Sequence, residues 1–195
     1  EVFPGVDIAG GITYFLWDKH YNGPCTITTK SGSAYQKDTR FLNEFDILIR
    51  DSQAVSFIRK IKEKTNQQQS LMNRISPRKP FNLPTNYAPS SDGIPCFFTQ
   101  KIGQAFASRE DVKDNLNILS KWKVVIPFAP IAGQTDFSKA VKFYHEANTR
   151  ILEPGVCCTE TWLVAGAFES ENEAQNFRSY LFTKTLRFLL LQTVV

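Results

Sequence analysis

Residues 3–29, FPGVDIAGGITYFLWDKHYNGPCTITT, decide how the rest of the chain is read. Ile12, Tyr14, Phe15, Leu16 and Trp17 leave no clean polar face, which predicts a strand over residues 11–17 covered on both sides. Tyr21-Asn22-Gly23 supplies a turn, because Asn and Gly both tolerate positive φ, and residues 25–29 read as the returning strand of a β-hairpin. A hairpin covered on both sides is the rim of a larger sheet, not the free edge of a small protein.

Working outward, the 195 residues are 42% hydrophobic and 22% charged, an ordinary globular composition with apolar material for one sizeable core or two small ones. The chain starts at Glu1 without an initiator Met and stops inside an apolar helical pattern, so it reads as a piece of something longer. A net charge of +4 is compatible with a nucleic-acid partner without arguing for one. Cys25, Cys96, Cys157 and Cys158 form no CxxC pair, and with only His20 and His145 to add, no metal site is expected. They read as structural thiols of a reduced, cytoplasmic protein. No signal peptide is visible, and Lys184 and Arg187 interrupt the C-terminal apolar run, so no membrane span is expected.

Residues 45–49 alternate well enough for a short strand. Asp51-Ser52 then caps a helix that carries Val55, Ile58 and Ile61 on one face and Arg59, Lys60, Lys62 and Lys64 on the other. Between Ser76 and Pro95 the prolines 77, 80, 84, 89 and 95 predict little regular structure. The basic entry to this segment, Arg74, Arg78 and Lys79 beside Phe81, has the most nucleic-acid-like local composition of the chain. Residues 95–102 read as a strand, residues 109–119 as a turn or short helix, and residues 121–127 as a strand rich in β-branched residues. That strand is expected to bury Trp122 and Val124 and to show Lys121 and Lys123 on its opposite face. Residues 137–149 read as a short helix with Lys139, Lys142 and Arg150 outward, and residues 156–164 as a strand. Ser170 and Glu173 form a capping box that opens a helix running almost to the end. The fold class is α+β: an N-terminal β-hairpin, a mixed β-sheet with flanking helices, and a long C-terminal helix.

No phosphate-binding glycine loop, no GxSxG and no HExxH occurs, and no carboxylate pair stands out, so no catalytic residue is assigned. Phe3-Pro4-Gly5-Val6, Gly10-Gly11, Tyr14-Phe15-Leu16-Trp17-Asp18 and Tyr21-Asn22-Gly23 resemble the segment after the catalytic motif of the adenine-specific DNA methyltransferases of restriction-modification systems, including fused type II restriction-and-modification enzymes. The resemblance continues, block by block, at residues 121–127, at Thr159-Glu160-Thr161-Trp162-Leu163-Val164, and at Glu173-Ala174-Gln175-Asn176 with Tyr180-Leu181-Phe182-Thr183-Lys184 and Arg187-Phe188-Leu189. The family's catalytic tetrapeptide and its methyl-donor glycine motif are nowhere in the sequence; Trp162 stands where the family has tyrosine, and Thr185-Leu186 where it has an aromatic.

The resemblance implies that residues 1–35 end a methyltransferase domain and that residues 36–195 are its target recognition domain. The partners implied are double-stranded DNA and the missing N-terminal methyltransferase domain. S-adenosylmethionine is implied for the parent enzyme, and no cofactor for this fragment, which would be inactive alone. Phosphate contacts are expected from Lys101, Lys121, Lys123, Lys139, Lys142 and Arg150, and base contacts from Arg74, Arg78, Lys79, Asn82, Gln134 and Thr135. The alternative is a protein-interaction or structural domain that docks through the apolar C-terminal helix, with Leu189, Leu190 and Leu191 exposed.

Overall fold

Val124, Val125 and Ile126 carry branched side chains that suit a pleated, covered surface, and Pro127 stops the ladder, so Trp122–Pro127 forms a strand. The computed structural model describes residues 13–31, 33–49, 51–65, 70–129 and 148–192. The chain divides into two compact units, Glu1–Asn66 with Arg187–Val195, and Gln67–Leu186.

In the second unit the strand Trp122–Pro127 (β5) is flanked by two antiparallel neighbours, Arg150–Leu152 (β6) and Trp162–Phe168 (β8). The β5–β8 register shifts between Val124 and Val125, which leaves Ala165 as a bulge. Glu171–Leu181 (α2) packs on all three strands of this sheet. Its start is the expected capping box: Ser170 Oγ accepts from the Glu173 amide at 3.3 Å, and the Glu173 carboxylate accepts from the Ser170 amide at 3.2 Å. A second, mixed sheet has Ile94–Phe97 (β3) at its centre, antiparallel to Gln104–Ala107 (β4) and parallel to Cys157–Cys158 (β7). The strand read at residues 156–164 is therefore two strands, because Thr159–Thr161 turns between the sheets. The core joins them: Phe81, Leu83, Phe97, Phe98, Val125, Trp162 and Val164 pack together, and Trp162 Nε1 donates to the Phe98 carbonyl at 2.5 Å. Cys96, Cys157 and Cys158 are free thiols within this core. The neighbouring Cys157 thiol and burial push Cys96 well above the usual thiol range, and burial does the same to Cys158.

In the first unit Cys25–Ser31 (β1) pairs with Ala34–Arg40 (β2), from Cys25↔Arg40 to Ser31↔Ala34. Asp51 caps Ser52–Lys64 (α1), its carboxylate accepting from the Gln53 amide at 2.9 Å. Ile49, Ala54 and Val55 are buried, with Phe45, Ile58 and Phe188 against them. Phe188 lies on Lys184–Leu191 (α3) and meets Phe57 edge-on at 5.3 Å.

Several sequence expectations are corrected here. The described part of residues 11–17 is not a strand, and Tyr14, Phe15, Leu16 and Trp17 are 94, 84, 99 and 74% exposed instead of covered. The strand β1 takes its ladder from β2 and not from this stretch, so the paired strands of the hairpin meet at Ser31↔Ala34, not across Tyr21-Asn22-Gly23. Residues 45–49 form no strand; Ile49 instead serves the α1 core. Of the turn or short helix expected over residues 109–119, the turn is what forms. The C-terminal helix breaks at Phe182-Thr183 into α2 and α3, and only Leu191 of its leucines at 189–191 is exposed. The expected helix at residues 137–149 lies almost entirely outside the described residues. No helix among the described residues is long and apolar enough to cross a membrane.

Candidate nucleic-acid interface

The proline-rich segment is irregular, as its composition predicts, yet it is tightly fastened. Ser76 laces its start to the edge of β8: its amide donates to the Val164 carbonyl at 2.8 Å and its hydroxyl accepts from the Val164 amide at 3.0 Å. Phe81 and Leu83 are 0 and 1% exposed and anchor the middle, while Asn82 between them faces solvent. Chain reversal here uses two non-glycine residues at positive φ, Lys79 at 60° and Asn82 at 65°, closed by the Asn82 amide on the Lys79 carbonyl at 3.0 Å. Asn adopts this region readily, whereas lysine does so at a cost of roughly 1–2 kcal/mol. The anchored neighbours hold that conformation in place.

Glu160, on the turn between β7 and β8, is the hub of the site. It is 8% exposed, and its amide donates to the Leu83 carbonyl at 2.8 Å. Its Oε1 accepts from the Thr85 amide at 3.1 Å. Its Oε2 lies 3.3 Å from Arg78 Nε and 3.7 Å from Lys79 Nζ, buried and without an aligned hydrogen bond among the described residues. The Thr85 amide first, then Arg78 and Lys79, hold this carboxyl below its ordinary range. It therefore stabilises the loop above the ordinary carboxylate pKa, and that contribution is lost as pH falls below that range. The Arg78 guanidinium also lies over the Phe128 ring, 4.8 Å from its centre. Thr159, Thr161 and Thr85 hydroxyls continue the polar border, at 3.2 and 3.5 Å. The result is an exposed arginine and lysine whose positions are set by a buried anion.

The other residues nominated from sequence fall apart from this cluster. Lys123 is corrected outright: it is 0% exposed, and its ammonium donates to the carbonyls of Leu119, Lys121 and Glu153 at 3.0, 2.5 and 3.1 Å. It cannot reach a phosphate. Burial pushes its pKa down to about 8, which leaves it charged at neutral pH with all three N–H groups taken. The basic row expected on β5 does not exist, since residues 123–126 are buried on both faces. Lys121 pairs with Glu169 at 2.9 Å, and Arg150 lies 4.9 Å over the Phe97 ring. Arg74 follows the short 3-10 turn Leu71–Asn73 and Lys101 sits in the β3–β4 turn, both exposed. Gln134, Thr135, Lys139 and Lys142 lie outside the described residues.

Sequence reasoning missed Glu160, Thr85 and Phe128. Thr159-Glu160-Thr161 is a lone carboxylate between hydroxyls at a strand junction, a signal only once the basic loop is known to lie above it. Among the described residues no cluster of His, Cys, Asp and Glu is suited to hold a metal ion. The chain matches no known protein family, no curated protein and no solved structure.

Proposed function

We propose that this chain is a recognition module for double-stranded DNA, the target recognition part of an adenine-specific DNA methyltransferase of a restriction-modification system. The observation that carries the reading is the Arg78–Lys79 pair, held outward on Glu160 by an anchored loop. Two cations fixed in one orientation offer phosphates and base edges a pre-formed contact, with little ordering left to be done on binding. Arg74 and Asn82, exposed along the same segment, extend the surface available to a groove.

The resemblance in the sequence supports the methyltransferase assignment. Methyl transfer from S-adenosylmethionine, and extrusion of the target adenine from the stack, would belong to a partner domain carrying the catalytic and glycine motifs. No residue described here is assigned to the methyl donor. This chain's own work would be to grip and read the duplex around the adenine.

Titration of a labelled duplex by fluorescence anisotropy over a tenfold range of salt tests the reading. Affinity should fall steeply as salt rises, because each cation–phosphate contact releases counterions. No binding at low salt, or affinity indifferent to salt, would refute it.

A further inference from the structure

We propose that Arg78 is a base-reading residue that takes a guanine in the major groove, and that Glu160 is the positioning residue that aims it. This inference rests on the DNA-recognition reading and names what the site reads. Arg78 is braced on two sides: Nε lies 3.3 Å from Glu160 Oε2, an ion pair without an aligned hydrogen bond, and the guanidinium carbon lies 4.8 Å from the centre of the Phe128 ring. Its side chain is nevertheless 59% exposed, and its Nη groups donate no hydrogen bond among the described residues. A guanidinium kept in place by an ion pair on its Nε side and by an aromatic ring presents its two terminal Nη groups outward as a fork. That fork matches the two acceptors, O6 and N7, that guanine alone presents side by side in the major groove. Pro77 and Pro80 flank the Arg78-Lys79 pair and stiffen its backbone, and Lys79 departs from the usual extended preference of a residue before proline to reach φ 60°. Backbone strain of this kind persists where the surroundings over-determine it, and it concentrates at ligand-contacting loops. Lys79 has no fork and serves as a point charge for the adjoining phosphate.

The arrangement separates two roles that a surface arginine usually mixes. Charge gives affinity to any duplex, whereas the aimed fork gives preference for one base. A lysine at position 78 keeps the first and loses the second.

Selection from a pool of randomised duplexes, carried out in parallel with the 195-residue chain, Arg78→Lys and Glu160→Gln, tests this. The unaltered chain should enrich guanine at one fixed position. Arg78→Lys should bind duplex with the same salt dependence but lose that preference by about tenfold to a hundredfold. Glu160→Gln, which keeps an acceptor for the Thr85 amide, should weaken the same preference at the same position. Thermal unfolding of the variants checks that the fold is retained. If the Arg78→Lys pool matches the unaltered pool at every position, or if salt-dependent binding occurs with no fixed guanine, Arg78 contacts phosphate and the inference is overturned while the DNA reading stands. If the unaltered chain binds no duplex at low salt, both fall together.

Discussion

Two basic neighbourhoods, Lys121-Trp122-Lys123 at the start of β5 and Arg78-Lys79 in the proline-rich loop, look alike as charge in a sequence, yet the fold treats them oppositely. Lys123 is drawn into the interior, where three carbonyls at the end of β5 absorb its charge and tie Leu119, Lys121 and Glu153 together. Arg78 and Lys79 are pushed outward by the burial of Phe81 and Leu83 and held there by a buried carboxylate. In the first case backbone acceptors satisfy the cation, and two of them, the Leu119 and Glu153 carbonyls, also accept from the Gly155 and Val156 amides. In the second the protein places the anion inside and leaves the cations to solvent. A lysine's contribution is thus set by which partner is buried.

The sharpest way to break this contrast is to reverse the charge at the buried site. Lys123→Glu places a carboxylate against three carbonyl oxygens and should lower stability by about 3–5 kcal/mol in urea denaturation. A stable Lys123→Glu variant would mean the interior is not as drawn.

The next effect is one of pH. Burial lowers the folded-state pKa of Lys123 to about 8 from the ordinary 10.5, so between those values the unfolded chain holds a proton that the folded chain has released. Stability therefore rises with pH across that window, by up to about 3 kcal/mol, an upper figure because the three carbonyls favour the ammonium. Below about pH 8 both states are protonated and the group adds no slope. The slope should vanish in Lys123→Met, as comparison of urea midpoints on the two sides of the window would reveal.

At the exposed site the effect moves from stability to binding. Arg78→Ala should cost about 1–3 kcal/mol of duplex affinity. It should change stability by less than about 1 kcal/mol, since the ion pair it removes is half open to water. Smallest is the backbone itself: Asn82→Val, β-branched at φ 65°, should lose about 1 kcal/mol of stability, and Asn82→Gly less than about 0.5 kcal/mol. Equal values for the two would show that the loop does not depend on that conformation.

What was legible in the sequence follows the same division. Signals carried by neighbours a few residues apart are found in the structure: the Asp51 cap, the Ser170–Glu173 box, β5 and the irregular proline segment. Signals that need a distant partner did not survive. Tyr14–Trp17 reads as a covered strand because it is apolar, but a strand needs a neighbour to pair with, and β1 pairs with β2. Alternation on β5 suggested one basic face, yet α2 and the second sheet's core cover the strand on both sides, which no local pattern encodes. The Arg78–Glu160 pair joins positions 82 residues apart, 160 less 78, so the basic residues of the site were legible and the carboxylate that organises them was not.

The central claim, that the loop cations and not the buried lysine meet DNA, is tested most directly by comparing salt dependence of duplex binding for the unaltered chain, Lys79→Ala and Lys123→Met. The plot of log affinity against log salt should be less steep by about one in Lys79→Ala and unchanged in Lys123→Met. A slope altered as much by Lys123→Met as by Lys79→Ala, or one indifferent to both, would contradict the account.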